Sequence, residues 1–256
     1  MFRTTVFRLK TLILSATAVI LVAILSLLVY TSGAYAVYFG TTPRRIPVYS
    51  VCRDDKYISI TFDCAWGTDH TDGILKALAE KDVKATFFMV QFWTEKYKDY
   101  VSAISEAGHE IGTHSKTHSY MSKLSSAEIS AELESSAAAI TAVTGKKVDL
   151  FRAPYGDYDD EVINTAEKDG FYTIQWDVDS LDWKDLSASE IATRVTSRVK
   201  SGSIILMHNN GLHTAEAVPV ILQTLIERGY TFVPVGELIY RQNFTVDSQG
   251  RQQPAA

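Results

Sequence analysis

Short apolar runs with strand character alternate with helically spaced segments along most of this chain, and five of the runs end in a compact polar cluster. The clusters are TFDC at Thr61–Cys64, HSKTH at His114–His118, RAPYG at Arg152–Gly156, DSLDW at Asp179–Trp183 and LMH at Leu206–His208. Repeated βα units imply a parallel sheet, because a crossover must carry the chain back before the next strand can run the same way. In a parallel α/β barrel all strand exits lie on one side. Five clusters far apart in sequence can then build one site.

The runs Val48–Cys52 and Tyr57–Phe62, split by the charged stretch Arg53–Lys56, predict an opening β-hairpin. Further strands are predicted at Ala85–Val90, Glu110–Thr113, Val148–Phe151, Phe171–Asp177, Ser203–Met207 and Tyr230–Val233. Helices are predicted over Thr71–Lys81, Tyr97–Ala107, Ser125–Val143, Asp159–Lys168, Ser187–Lys200 and Thr214–Arg228. Ser125 and Glu128 form a capping-box signal, and Gly108, Gly145, Gly170 and Gly229 stand where helices hand over to strands. Together these predict an α/β fold, a distorted (β/α) barrel of about seven parallel strands.

Thr11 to Tyr30 is almost wholly apolar and uncharged, with Arg3, Arg8 and Lys10 before it. About 20 such residues cross a bilayer as a helix, with the basic flank on the cytoplasmic side. This predicts a single-pass anchor in the cell membrane and an extracellular domain. The alternative is a cleaved signal segment ending near Ala34–Ala36, which would release a secreted domain. The apolar run exceeds the usual signal core of roughly 7–15 residues, which favours the anchor. The expected plan is a basic flank at 1–10, the anchor or signal at 11–30, a linker at 31–47, one catalytic domain at 48–242, and a polar tail at 243–256, disordered over Gln249–Ala256. The formal net charge of −5 gives no electrostatic case for nucleic acid. Two cysteines exclude a disulfide scaffold, and the strand-like run between Cys52 and Cys64 disfavours a bridge.

The clusters carry hydrolytic chemistry. His114 and His118, four apart, can turn both imidazoles to one ion, or can be two surface or capping histidines. Asp63 at its strand exit can be a general base, a ligand or a helix cap. Arg152 carries the charge a buried carboxylate needs nearby. Pro154 stiffens the loop in which Tyr155-Gly156 either offers a backbone N–H to a reacting oxygen or makes a simple turn. Asp179 and Asp182 flank a possible binding wall, Trp183. His208 alone reads as structural, but beside a carboxylate such as Asp182 it would be held cationic for acid catalysis.

The order and spacing of the five clusters resemble the motifs of the polysaccharide deacetylases, the carbohydrate esterase family four or nodulation-type N-deacetylase domain, over about residues 55–240. The stretch TFDCAWG with the amino-terminal anchor resembles the branch linked to sporulation and cell-wall peptidoglycan. The resemblance implies a divalent metal, often zinc, held by His114 and His118. It implies Asp63 as base, Arg152 as its partner, and the Tyr155 N–H as oxyanion donor. It further implies His208 as acid oriented by Asp182, with Trp183 and Leu206 shaping the acetyl pocket. One departure stands out: the family's second aspartate, a metal ligand, is Cys64 here. Thiolate is a good zinc ligand, but a small buried thiol is the alternative, with Asp69 or His70 nearby to complete a shell.

The expectation is therefore a metal-dependent, membrane-anchored deacetylase of an extracellular amino-sugar polymer, peptidoglycan before chitin-like oligomers or acetylated xylan. The rival is a wall-binding pseudoenzyme whose metal shell Cys64 has spoiled. Gln91–Lys98 and Asn209–His213 are expected as the loops that choose the sugar.

Overall fold

The computed structural model describes residues 2–31 and 44–255. The first segment is one helix, α1 (Phe2–Thr31), with side chains described from Leu14 to Tyr30. Among the described residues no helix is long and apolar enough to cross a membrane. Most of the expected linker, up to position 43, and the cleavage-like Ala34–Ala36 lie outside the described residues.

The second unit, Arg45–Ala256, carries the sheet. Its strands are β1 (Ser50–Val51), β2 (Tyr57–Cys64), β3 (Thr86–Met89), β4 (Glu110–Thr113), β5 (Leu150–Phe151), β6 (Tyr172–Thr173), β7 (Val178–Asp179), β8 (Ile204–His208), β9 (Thr231–Phe232), β10 (Phe244–Val246) and β11 (Arg251–Pro254). Its helices are α2 (Thr71–Glu80), α3 (Gln91–Lys96), α4 (Lys98–Glu106), α5 (Ser126–Thr144), α6 (Asp160–Lys168), α7 (Ala188–Thr196), α8 (Thr214–Glu227) and α9 (Val235–Leu238). The order β6-β5-β4-β3-β2-β8-β7 is parallel throughout, and β9 pairs with the start of β2. The predicted barrel is thus a parallel half-barrel. Val48 bridges to Ile174, just beyond β6, and Ser50 to Ser203, just before β8.

Alternation along β2 sets which side chains reach the site. Ile58, Ile60, Phe62 and Cys64 join the largest apolar core, together with Ile74 and Leu78 of α2 and Ile221 and Leu225 of α8. Ser59, Thr61 and Asp63 face the other way. Ser125 caps α5 with the predicted capping box, and Gly145 ends that helix at φ 68.

Three expectations are corrected. β1 and β2 form no hairpin. Both long edges of β2 are taken by β3 and β8, and β1 pairs instead with β11 in a separate three-stranded sheet. The tail is ordered for the same reason: β10 and β11 form an antiparallel pair beside β1. Gln252 is fully buried there, and its amide exchanges hydrogen bonds of 2.8 and 2.7 Å with the Tyr240 backbone. A polar sequence can be interior when every polar atom is matched. Gln91–Lys98 is no open loop either, since Gln91–Lys96 is helical and buries Trp93.

Candidate active site

Asp63, at the exit of β2, stands opposite His208 of β8 in the strand register. Its carboxylate is 6% exposed and accepts Arg152 Nη1 at 2.8 Å. The same nitrogen donates to Thr61 Oγ1 at 2.8 Å, and Nη2 donates to the Gln175 carbonyl at 3.1 Å. The fully buried guanidinium lies 4.1 Å from the Phe88 ring centre. That ring needs Gly112, where a Cβ would come within 2.6 Å of it. Burial favours the neutral acid at Asp63, but the charge and hydrogen bond of Arg152 and the charge of His208 outweigh it. The net effect holds the carboxyl below its ordinary value of 3.8.

His114 is buried beside it. Its Nδ1 lies 2.8 Å from the Arg152 carbonyl, so Nδ1–H donates there and Nε2 keeps its lone pair, 3.5 Å from Asp63 Oδ2. The His118 ring follows at 5.0 Å, nearly at right angles. Burial lowers the pKa of both, that of His118 to about 4, so both imidazoles are neutral at pH 7. Ser115 and His118 take left-handed backbone angles, φ 72 and 60. Glu132 pins their loop by accepting the Lys116 and Thr117 amides and the Thr117 hydroxyl, each at 2.8 Å.

Across the pocket, His208 Nδ1 lies 2.7 Å from Asp182 Oδ1, and the His208 amide donates to Oδ2 at 2.8 Å. Burial alone would lower the His208 pKa. The hydrogen bond and charge of buried Asp182 reverse that and push it above 6.5. Thr214 Oγ1 donates to Asp182 Oδ2 at 2.6 Å and so fixes the carboxylate's second oxygen. Thr214→Val is expected to lower turnover about tenfold and to move the alkaline limb of the pH profile upward, because a carboxylate that has lost a donor holds the His208 proton more tightly, with Thr214→Ser restoring both. An unmoved limb would contradict this.

These groups line a cavity of about 830 Å³ with Tyr155, Trp183 and Leu206, as well as Trp66, Asp69 and His70. Arg152 lies behind Asp63 rather than on the wall. From the expected sugar-selecting loop 209–213, Asn209, Asn210, Gly211 and Leu212 line the cavity. Cys64 does not come to it. Neighbouring strand residues face opposite sides, so Asp63 in the pocket sends Cys64 into the core. There burial pushes its thiol well above 9.0, away from the thiolate a metal needs. Both cysteines are free.

The donor set bears on the metal that the resemblance implies. Two neutral imidazoles are the right ligand form, and the buried His118 Nδ1 has no hydrogen-bond partner. Yet among the described residues no three His, Cys, Asp or Glu side chains group as a metal site. His114 and His118 are the side chains that would hold an ion, and the steps below are written on the chain's own residues.

Glu132 and Thr214 escape sequence reading. Each acts from a helix remote in sequence, and only the fold brings it to its loop or carboxylate. Trp66 had a signal, since it stands three residues beyond Asp63.

Fold and site together define the class: a parallel half-barrel with an ionised carboxylate and a carboxylate-backed imidazole facing each other at the strand exits. The polysaccharide deacetylase family model matches residues 50–174. A peptidoglycan-N-acetylglucosamine deacetylase of Bacillus cereus is 32% identical over 210 residues, covering 77% of this chain and 94% of that protein. The chain belongs to the polysaccharide deacetylase family. It is also 33% identical over 193 residues to the uncharacterised protein YlxY of Bacillus subtilis, covering 75% of this chain. It spans 60% of YlxY's length and 43% of a Listeria monocytogenes peptidoglycan-N-acetylglucosamine deacetylase. Among solved structures it resembles a carbohydrate esterase family four pseudoenzyme from Bacillus anthracis, with TM-score 0.73 and 36% identity over 75% of this chain and 68% of that one.

Proposed function

We propose that this chain hydrolyses N-acetyl groups from an amino-sugar polymer, with peptidoglycan as the substrate class. The observation that carries the reading is the pairing of Asp63 with His208 across one pocket, Arg152 favouring the ionised form of the first and Asp182 the protonated form of the second. Asp63 takes the proton of a water as its oxygen attacks the acetyl carbonyl. The Tyr155 N–H, in a turn held at φ 59, meets the oxygen that becomes negative. His208 then gives its proton to the departing nitrogen as the C–N bond breaks. Trp183 and Leu206 flank the acetyl group, and water regenerates both acid and base. Support for peptidoglycan comes from the substrate named for the Bacillus cereus and Listeria monocytogenes relatives. The basic-flanked apolar helix supports export, with the domain tethered at or released outside the membrane.

The test is acetate release from purified peptidoglycan, chitin oligomers and acetyl-xylan by the full chain. Release from peptidoglycan above the others is the expected result, and none from any would refute the reading. Cys64→Ala is expected to change the rate less than about twofold and to cost roughly 1 kcal/mol of stability, since it trims a core thiol. A collapse in rate at normal stability would make the thiol a working ligand instead.

A second reading is a wall-binding pseudoenzyme that keeps the pocket without turnover. The burial of Cys64 in the apolar core, away from the pocket, favours it, as does the likeness to the Bacillus anthracis pseudoenzyme. Sedimentation with peptidoglycan and no acetate release would select it.

A further inference from the structure

His114 and His118 sit in one short segment but are held by different means. His114 follows β4 directly. Its amide donates to the Met89 carbonyl of β3 at 2.9 Å, and its Nδ1–H donates to the Arg152 carbonyl at 2.8 Å, so the sheet fixes it on both sides. His118 lies beyond the sheet. Its Nδ1 finds no hydrogen-bond partner among the described residues, and its amide turns back to Ser115 Oγ of the same loop at 3.0 Å. Where its ring stands therefore depends on the path of the backbone from Ser115 to His118. That path is a disfavoured one, with two non-glycine residues, Ser115 and His118, at φ 72 and 60. Such backbone persists only where the surroundings over-determine it.

The surroundings here are one face of α5. Glu132 and Ser136 are four apart, so they project from the same side of the helix, one turn from each other. Ser136 Oγ accepts the Thr113 hydroxyl at 2.7 Å, and Thr113 Oγ1 in turn accepts the Ser115 amide at 3.1 Å, all three residues being fully buried. Glu132 takes the far end of the loop. Its Oε2 accepts the Lys116 and Thr117 amides, and its Oε1 accepts the Thr117 hydroxyl. A carboxylate that gathers two successive amides fixes the direction of the chain at that point. Neither α5 residue lines the pocket, so both act on it only through the loop.

We propose that Glu132 is a positioning residue that sets where His118 stands relative to His114, now 5.0 Å apart between ring centres, and thereby the affinity of the pair for a divalent cation. The role belongs to the site of the deacetylase reading, and it works through shape rather than charge. A glutamine at this position still accepts both amides through its carbonyl oxygen. Its Nε2–H donates to Thr117 Oγ1, whose own proton then turns to Ser119 Oγ, 2.7 Å away. An aspartate keeps the charge but draws its oxygens back by one methylene, out of reach of the loop. Both variants keep a polar side chain at a half-buried helix position, so folding survives them.

The test is calorimetric titration of the full chain with zinc ion, with the visible absorption of added cobalt ion reporting ligand geometry. Glu132→Asp is expected to weaken zinc binding about tenfold and to alter the cobalt bands, while Glu132→Gln keeps both. Equal affinity in the native chain and both variants overturns the proposal, as does a loss in Glu132→Gln with Glu132→Asp unharmed. A native chain that takes up neither ion overturns it too. Ion binding that depends on Glu132 without acetate release would refute the hydrolase reading and leave the brace standing. Acetate release with ion affinity indifferent to Glu132 would do the reverse.

Discussion

Arg152→Met is expected to cost about 3–5 kcal/mol of folding stability at neutral pH. The methionine keeps an apolar stem against Phe88, but the Asp63 carboxylate then stays buried without its counter-charge. In the native chain Asp63 ionises more readily folded than unfolded. Its contribution to stability is therefore full above the ordinary value of 3.8 and is lost as pH falls through the lower folded value. In the variant burial dominates and the folded pKa rises above 3.8, so the penalty grows as pH climbs through that value. Urea melts at pH 7 and below pH 4 should show a large loss at the first and a much smaller one at the second. A loss under about 1 kcal/mol at pH 7 would mean that Asp63 is not held by this pair.

Asp63→Asn is expected to lower acetate release about 10²–10⁴-fold with little change in KM. The amide oxygen can still accept the Arg152 hydrogen bond, so the strand exit keeps its shape. What it cannot do is take a proton from water. Asp182 and His208 on the opposite wall are untouched. A rate within a few-fold of the native chain would remove Asp63 from the reaction.

Much of the site was legible because each polar cluster follows an apolar run, and parallel strands must end together. Asp63, His114, Arg152, Asp182 and His208 could be named from that alone. The side on which Cys64 lies was also legible in principle: Asp63 and Cys64 are neighbours in one strand and cannot share a face. The motif resemblance, which carries an aspartate at that position, pointed the other way. The partner of β1 was not legible, because a polar sequence such as Arg251–Pro254 bears no strand pattern, yet its backbone pairs with β1 and β10 and its buried Gln252 amide ties it to Tyr240. Glu132 and Thr214 were hidden for a related reason, since neither a mid-helix glutamate nor a first-turn threonine shows in sequence which loop or carboxylate it will brace.

The central claim is that one buried carboxylate must be charged and one half-buried imidazole protonated, face to face across a single sugar-sized cleft. The pH dependence of kcat/KM for acetate release by the full chain tests it most directly. The account predicts a bell whose acid limb lies below 3.8 and whose alkaline limb lies above 6.5. Activity that keeps rising with pH beyond the histidine range, or a profile that Asp63→Asn leaves unaltered, would contradict it.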